Sequence, residues 1–234
     1  MDKVRLTSEQ KVILKKARIW AEVFFKKAKN EKRLVVGGHG FDHNQRVAGM
    51  ASTISLMEDR DPFLPILTSL IFDIGRASAD PRSRNWHHGQ LSREIADNFI
   101  DSLPLLGKND KLLVKNAIED HPKLNENVRR SYVVEIVMDA DRLDTLGALA
   151  PVRVAAHRWK LPLFSLEASI STKDSEIKTI YQDFALRSKE FYDMLWTKSA
   201  RRIAKPKLTF MVKFIKEFRN EASFAHKAFD DLDI

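Results

Sequence analysis

Residues 65–75 read as a helix that is apolar almost all round, Pro65-Ile-Leu-Thr-Ser-Leu-Ile-Phe72-Asp73-Ile-Gly75. A helix without a polar face must be enclosed by other elements, so the rest of the chain has to pack around this one. The run carries a single carboxylate, Asp73. An ionised carboxylate removed from water costs several kcal/mol unless something pairs with it. Asp73 beside Gly75 can serve simply to end the helix. The alternative is that it points at a metal ion whose other ligands come from distant helices.

The enclosing elements also read as helices. Thr7 and Gln10 form a capping box, after which Ile13, Ala17, Trp20, Phe24 and Ala28 recur at helical spacing as far as Asn30. Gly37-Gly38-His39-Gly40 is a loop, and a second helix from Phe41 carries Val47, Met50, Ala51 and Ile54. Arg76 to Trp86 shows no periodicity and reads as a surface loop. Helices follow with Leu91, Ile95, Phe99 and Leu103, then with Leu112, Leu113, Ala117 and Ile118, then with Val133, Val134, Val137 and Ala140. A long helix is expected over 174–196, with Ile177, Tyr181, Phe184, Ser188, Phe191 and Leu195 on one face. Another is expected over 207–219, with Pro206 marking a kink or a fresh start. No strand pattern competes, and the expected class is all-α.

Composition narrows the setting. The 234 residues suit one large domain, and no apolar run approaches a membrane span. No apolar leader segment precedes a cleavage site, and the absence of cysteine excludes disulfides and thiolate sites, so a cytoplasmic protein is expected. The charge is uneven. Residues 1–34 hold 11 Lys and Arg against 4 Asp and Glu, and 197–219 hold 8 against 1, while the tail beyond 220 is acidic. Two basic amphipathic segments are ordinarily solvated helix faces; lying together, they would attract nucleic acid.

The chemistry reduces to His43, Asp73, His88, His121 and Asp141, each at or near the end of a core helix. His43 lies one turn before Val47 on the inward face, His121 one turn beyond Ala117, and Asp141 one turn beyond Val137. Three acids in Asp139-Ala-Asp141-Arg-Leu-Asp144 exceed what a plain core tolerates. Nitrogen and oxygen donors alone suit Mn, Mg, Fe or a similar cation. Serine-hydrolase, P-loop and dinucleotide motifs are absent.

In order and approximate spacing, His39-Gly-Phe-Asp-His43-Asn-Gln-Arg46-Val47, Leu-Ile-Phe72-Asp73-Ile-Gly-Arg76, His88-Gly-Gln-Leu-Ser-Arg, Ala-Ile-Glu-Asp-His121 and Asp139-Ala-Asp141-Arg142-Leu-Asp144 resemble the HD-domain metal-dependent phosphohydrolases, especially the stand-alone bacterial ones. The resemblance extends through Met194-Leu-Trp-Thr197 and Ala200-Arg-Arg-Ile-Ala204 to most of the chain. It implies a helical HD-like core over 1–160 and a C-terminal helical extension over 161–234, packed as one unit. It also implies that His43, Asp73 and Asp141 bind one divalent metal, with His88 and His121 available for a second or for phosphate. Asp73 and Asp141 would be catalytic, and Arg46, Arg76, Arg142 and Asp144 would serve the substrate.

The chain departs from the family at its namesake pair, where Phe72-Asp73 replaces His-Asp. One His and two carboxylates then remain, similar to an open facial triad, and His39 or His87 could replace the missing ligand. Gly40 and Pro206 are smaller departures. The leading expectation is a phosphohydrolase acting on a phosphate ester or anhydride, with a nucleotide as the natural substrate. The alternatives are a degenerate HD protein that binds nucleotide or phosphate without turnover, and a basic nucleic-acid-binding module.

Overall fold

The helix that demanded enclosure is α3, Phe63–Ile71, and every residue in it except Ile66 is buried. Each large apolar side chain fully buried there contributes about 1.5–3 kcal/mol, which makes α3 the hub of the fold. The computed structural model describes residues 6–31, 38–84, 87–165 and 177–230. Among them there is no strand. The elements are α1 (Ser8–Asn30), α2 (Phe41–Met57), α3, α4 (His88–Asp101), α5 (Lys108–Asp120), α6 (Tyr132–Asp144), α7 (Leu149–His157), α8 (Ile180–Asp193) and α9 (Lys198–Asp230). Gly37, residues 85–86, the expected helix start at 174–176 and the outer parts of the basic segment 1–34 lie outside the described residues.

Helices α1, α2, α5 and α6 pack directly on α3, α4 packs on α5, and α9 lies across α6 and α8. The Thr7–Gln10 capping box starts α1 as expected. The buried stripe of α1 is Ile13, Ala17, Ala21, Phe25 and Ala28, so Trp20 sits at its edge and stacks on Phe99. The lysines and arginines of both basic segments are mostly exposed on α1 and α9. No helix among the described residues is long and apolar enough to cross a membrane.

Several boundaries differ from the sequence reading. Helix α3 stops at Ile71, and Asp73 turns out of it at φ −103° and ψ 16° into a 3-10 turn, Ile74–Ala77. That turn and a second one, Pro81–Arg84, occupy the segment expected to be a surface loop, and Ala77 and Ser83 within it are buried. Helix α8 starts only at Ile180, under its own Thr179–Gln182 capping box. Helix α9 runs through Pro206 without a fresh start; both Pro206 and Arg202, whose carbonyl loses its partner, are exposed, so water can satisfy that oxygen.

Two glycines set the spacing around α3. A Cβ on Gly75 would lie 2.6 Å from the His88 carbonyl oxygen and 2.8 Å from Ser92 Oγ, and one on Gly89 would lie 2.6 Å from the Glu119 carbonyl oxygen. Ser92 Oγ also accepts the Gly75 backbone N–H at 2.9 Å. The Asp73 turn, α4 and the end of α5 are therefore drawn together at backbone distance.

Candidate metal centre

Helix α2 delivers His43 from its first turn, fully buried beside Val47 and Ala51. Its Nδ1 lies 2.8 Å from Asp144 Oδ2, and Asp144 is gripped in turn by Arg46 (Nε 2.8 Å, Nη2 3.1 Å) and Arg153 (Nη1 2.9 Å). A carboxylate on Nδ1 holds the proton there and turns Nε2 inward, the usual support behind a metal-binding imidazole. Nε2 lies 3.2 Å from Asp141 Oδ1 and 3.9 Å from Asp73 Oδ2. Burial opposes charge on this ring, but the neighbouring Asp141 and Asp144 carboxylates outweigh it and raise the His43 pKa.

Asp73 is almost completely buried and is shared by two groups of histidines. Oδ2 is 2.9 Å from His39 Nδ1; Oδ1 is 3.4 Å from His88 Nε2, 3.8 Å from His121 Nε2 and 3.5 Å from Arg76 Nε. Burial alone would push its pKa up, yet His39, His121 and His88 hold it well below the usual carboxylate range. His121 Nδ1 donates to the Ile118 carbonyl at 2.7 Å, so its Nε2 offers a lone pair, and that atom faces His88 Nε2 at 3.0 Å. His39 itself is pushed down to about 4 by burial, against the pull of Asp73.

The residues present fit a divalent cation. His43 Nε2 and Asp73 Oδ1 are buried without a full hydrogen bond, an arrangement that normally has a specific reason. Ligand atoms of His39, His43 and Asp73, and of Asp73, His88 and His121, each cluster within 4.8 Å. All are nitrogen or oxygen, as Mn, Mg or Fe prefers. Phe72 adds no donor: its ring is fully buried, 4.6 Å from the His121 ring and 5.5 Å from that of His43.

Helix α6 separates its three acids by function. Asp141 alone lines the cavity with Asp73; burial works against its ionisation, but the His43 ring beside it keeps it well below the ordinary value. Asp139 points the other way and accepts the Trp196 and Thr197 backbone N–H groups and the Thr197 hydroxyl, each at 2.8 Å. Asp144, expected at the substrate, is instead spent on His43 and two arginines behind the site. Arg46, also expected there, bridges Asp144 and Asp42 and does not line the cavity. Arg142 lines it, but its Nη1 is committed to the Met194 carbonyl at 2.7 Å. Arg76 does face the cavity, anchored through Nη1 to the Ser83 carbonyl.

The cavity above these residues measures about 540 Å³. Its far wall comes from α7 and α8, and sequence reasoning missed it. Arg153 and His157 stand one turn apart on α7, and Arg158 and Arg187 clamp Asp183. Burial, aided by Arg187, Arg158 and Arg76, pushes His157 down to about 4, and its buried Nδ1 has no hydrogen-bond partner. Leu186, Phe191 and Met194 add an apolar side, with the Arg187 guanidinium 5.5 Å from the centre of the Phe191 ring. The available signals were Pro151 in a first helical turn and Arg153 with His157 at i, i+4.

No protein-family model matches the chain. Among curated proteins, the uncharacterised YpgQ of Bacillus subtilis strain 168 is 24% identical over 192 residues, or 79% of this chain and 84% of YpgQ. The crystal structure of YpgQ in complex with ADP has a TM-score of 0.67 at 22% identity, covering 91% of this chain and 96% of the other. An HD-superfamily hydrolase from Bacillus thuringiensis has a TM-score of 0.64 at 19% identity, covering 92% and 98%. A predicted HD-superfamily hydrolase from an uncultured Thermotogales bacterium has a TM-score of 0.57 at 23% identity, covering 86% and 90%. At these identities the likeness establishes the fold: all-helical, of the kind seen in HD-superfamily hydrolases.

Proposed function

We propose that this chain is a divalent-metal-dependent phosphohydrolase acting on a phosphate ester or anhydride, with nucleotides as the substrate class. The observation that carries the reading is the pair of buried donor atoms without a hydrogen bond, His43 Nε2 and Asp73 Oδ1, of which Asp73 lines a cavity whose walls hold Arg76, Arg153, Arg158, Arg187 and Lys123. The fold it shares with HD-superfamily hydrolases and the ADP bound to YpgQ agree with it.

In this reading His43, Asp73 and Asp141 hold one cation, and His88 and His121 stand ready for a second or for a phosphate oxygen. A bound divalent cation would polarise the phosphoryl group and make water more acidic. The protein supplies the rest. Asp141, kept ionised by His43, presents an acceptor oxygen that can orient a water. Arg76 and the α7–α8 cations neutralise the phosphate charge. Asp144, with Arg46 and Arg153 on it, fixes the His43 ring. The Leu186, Phe191 and Met194 face gives a flat base a place to rest, and the volume is in the range of small-molecule sites.

A second reading, a nucleotide-binding protein without turnover, is favoured by Phe72, which puts an apolar ring against His43 and His121. One experiment separates the two. The purified protein is depleted of metal, assayed against nucleoside mono-, di- and triphosphates, cyclic nucleotides and simple phosphate esters, and then resupplied with Mn2+. Metal-dependent phosphate release supports hydrolysis. Nucleotide binding without release under any of these conditions selects the second reading.

A further inference from the structure

We propose that His39 is itself a ligand of the floor cation, through Nδ1, and supplies the nitrogen that Phe72 cannot. The inference rests on the metal-dependent reading above and names one more residue of that site.

A cation of the Mn, Mg or Fe class takes more donors than the three that His43, Asp73 and Asp141 offer. Phe72 closes one side with carbon. His39 comes in from another side: its Nδ1 is 2.9 Å from Asp73 Oδ2, and its ligand atom clusters with those of His43 and Asp73 within 4.8 Å. The His39 and His43 rings lie 5.4 Å apart and nearly perpendicular, at 79°. The hydrogen bond between Nδ1 and Asp73 requires a proton, and a cation that replaces that proton would meet both atoms.

The loop is built to hold His39 there. Gly38 takes φ +81°, a conformation side chains disfavour, and its carbonyl accepts Arg153 Nε at 3.2 Å. On the other side, the Gly40 carbonyl accepts the His43 backbone N–H at 2.9 Å. The loop is thereby fixed at both neighbours of His39, one tied to a cavity arginine and the other to the ligand helix. His87, the other candidate from the sequence, precedes α4 and belongs neither to the cavity lining nor to either donor cluster.

The competing role for His39 is to orient Asp73 by hydrogen bonding alone. Calorimetric titration of the metal-free protein with Mn2+ distinguishes the two. His39→Ala and His39→Asn should each weaken the tightest Mn2+ site about tenfold or more, and His87→Ala should leave it within about twofold. Asn retains a hydrogen bond to Asp73 but is a poor ligand in place of imidazole. If His39→Asn binds Mn2+ as tightly as the native protein, His39 only orients Asp73 and the proposal is overturned; native affinity in His39→Ala overturns it as well. If the native protein takes up no Mn2+, the metal-dependent reading fails first and this inference falls with it. Melting curves without metal confirm that each variant is folded.

Discussion

The floor and the far wall of the cavity are built on different principles. On the floor, α2, the end of α3 and α6 hold His43, Asp73 and Asp141, and each donor is braced by a further residue: Asp144 behind His43, His39 on Asp73, His43 on Asp141. On the wall, Arg158 after α7 and Arg187 of α8 share one acid, Asp183, and Arg153 reaches back to Asp144, all beside an apolar patch. The floor is over-determined, so its geometry survives only if every member is kept. The wall is an assembly of separable charges. Rigid donors suit a cation and its chemistry, and separable charges suit the recognition of a substrate.

Substitutions on the two sides should therefore differ in size and in kind. The largest effect is expected from Asp73→Asn, which removes the one carboxylate shared by both histidine groups. Mn2+ affinity should fall by more than about 100-fold, beyond the cost of losing an outer hydrogen-bond partner, and hydrolysis should vanish. Asp144→Asn loosens only the support behind His43 and should cost about 10–100-fold in Mn2+ affinity, measured by the same titration. On the wall, Arg187→Ala should raise KM roughly tenfold with kcat almost unchanged, because Arg158 still holds Asp183 and only substrate binding is lost. A fall in kcat comparable to that of a floor variant would erase the distinction.

The smallest effect concerns two acids of α6, Asp139 and Asp144. Burial pushes Asp139 up to about 6, whereas Asp144 is lowered, with burial overcome by its His43 and Arg46 contacts. A raised carboxylate contributes stability that is complete below the unfolded value of about 3.9 and is lost as pH rises through about 6. A lowered one contributes above the unfolded value and loses its contribution as pH falls. In metal-free buffer, the melting temperature of the native protein relative to Asp139→Asn should therefore decline between about pH 4.5 and 7. A constant difference across that interval would mean that Asp139 is ionised throughout.

The same contrast explains what the sequence disclosed. The floor was legible because its donors sit at fixed offsets from apolar helical stripes, so that His43 follows from Val47 and Asp141 from Val137. The end of α3 was misplaced because apolarity continues through Phe72 and Ile74, while Asp73 must leave the helix to meet its histidines. Helix α7 went unread, although its Pro151 falls in the first turn, where a proline costs no hydrogen bond. Pro206 was read as a kink or a fresh start, yet an exposed carbonyl can turn to water and the helix continues. Asp183 and Arg187 are an ordinary i, i+4 pair of α8 and signal nothing by themselves; what the sequence does not show is that Arg158, 25 residues before Asp183, joins them. The Val137 offset picks out Asp141 over Asp139, but nothing in the sequence shows what Asp139 meets instead: Thr197, 58 residues away.

The close approach at Gly75 and Gly89 also acts as a gauge. Neither residue has an atom that can touch an ion, yet together they fix how near α4 and the end of α5 come to Asp73, and hence the 3.0 Å separation of His88 and His121. A methyl group on either glycine would force the helices apart by a fraction of an ångström. That is the scale on which Mg2+ and Ca2+ differ in ligand distance, about 2.1 Å against 2.3–2.6 Å. On the metal-dependent reading, the ionic radius this centre would accept is set partly by two side chains that are absent, and it would drift toward larger ions while every donor stayed in place.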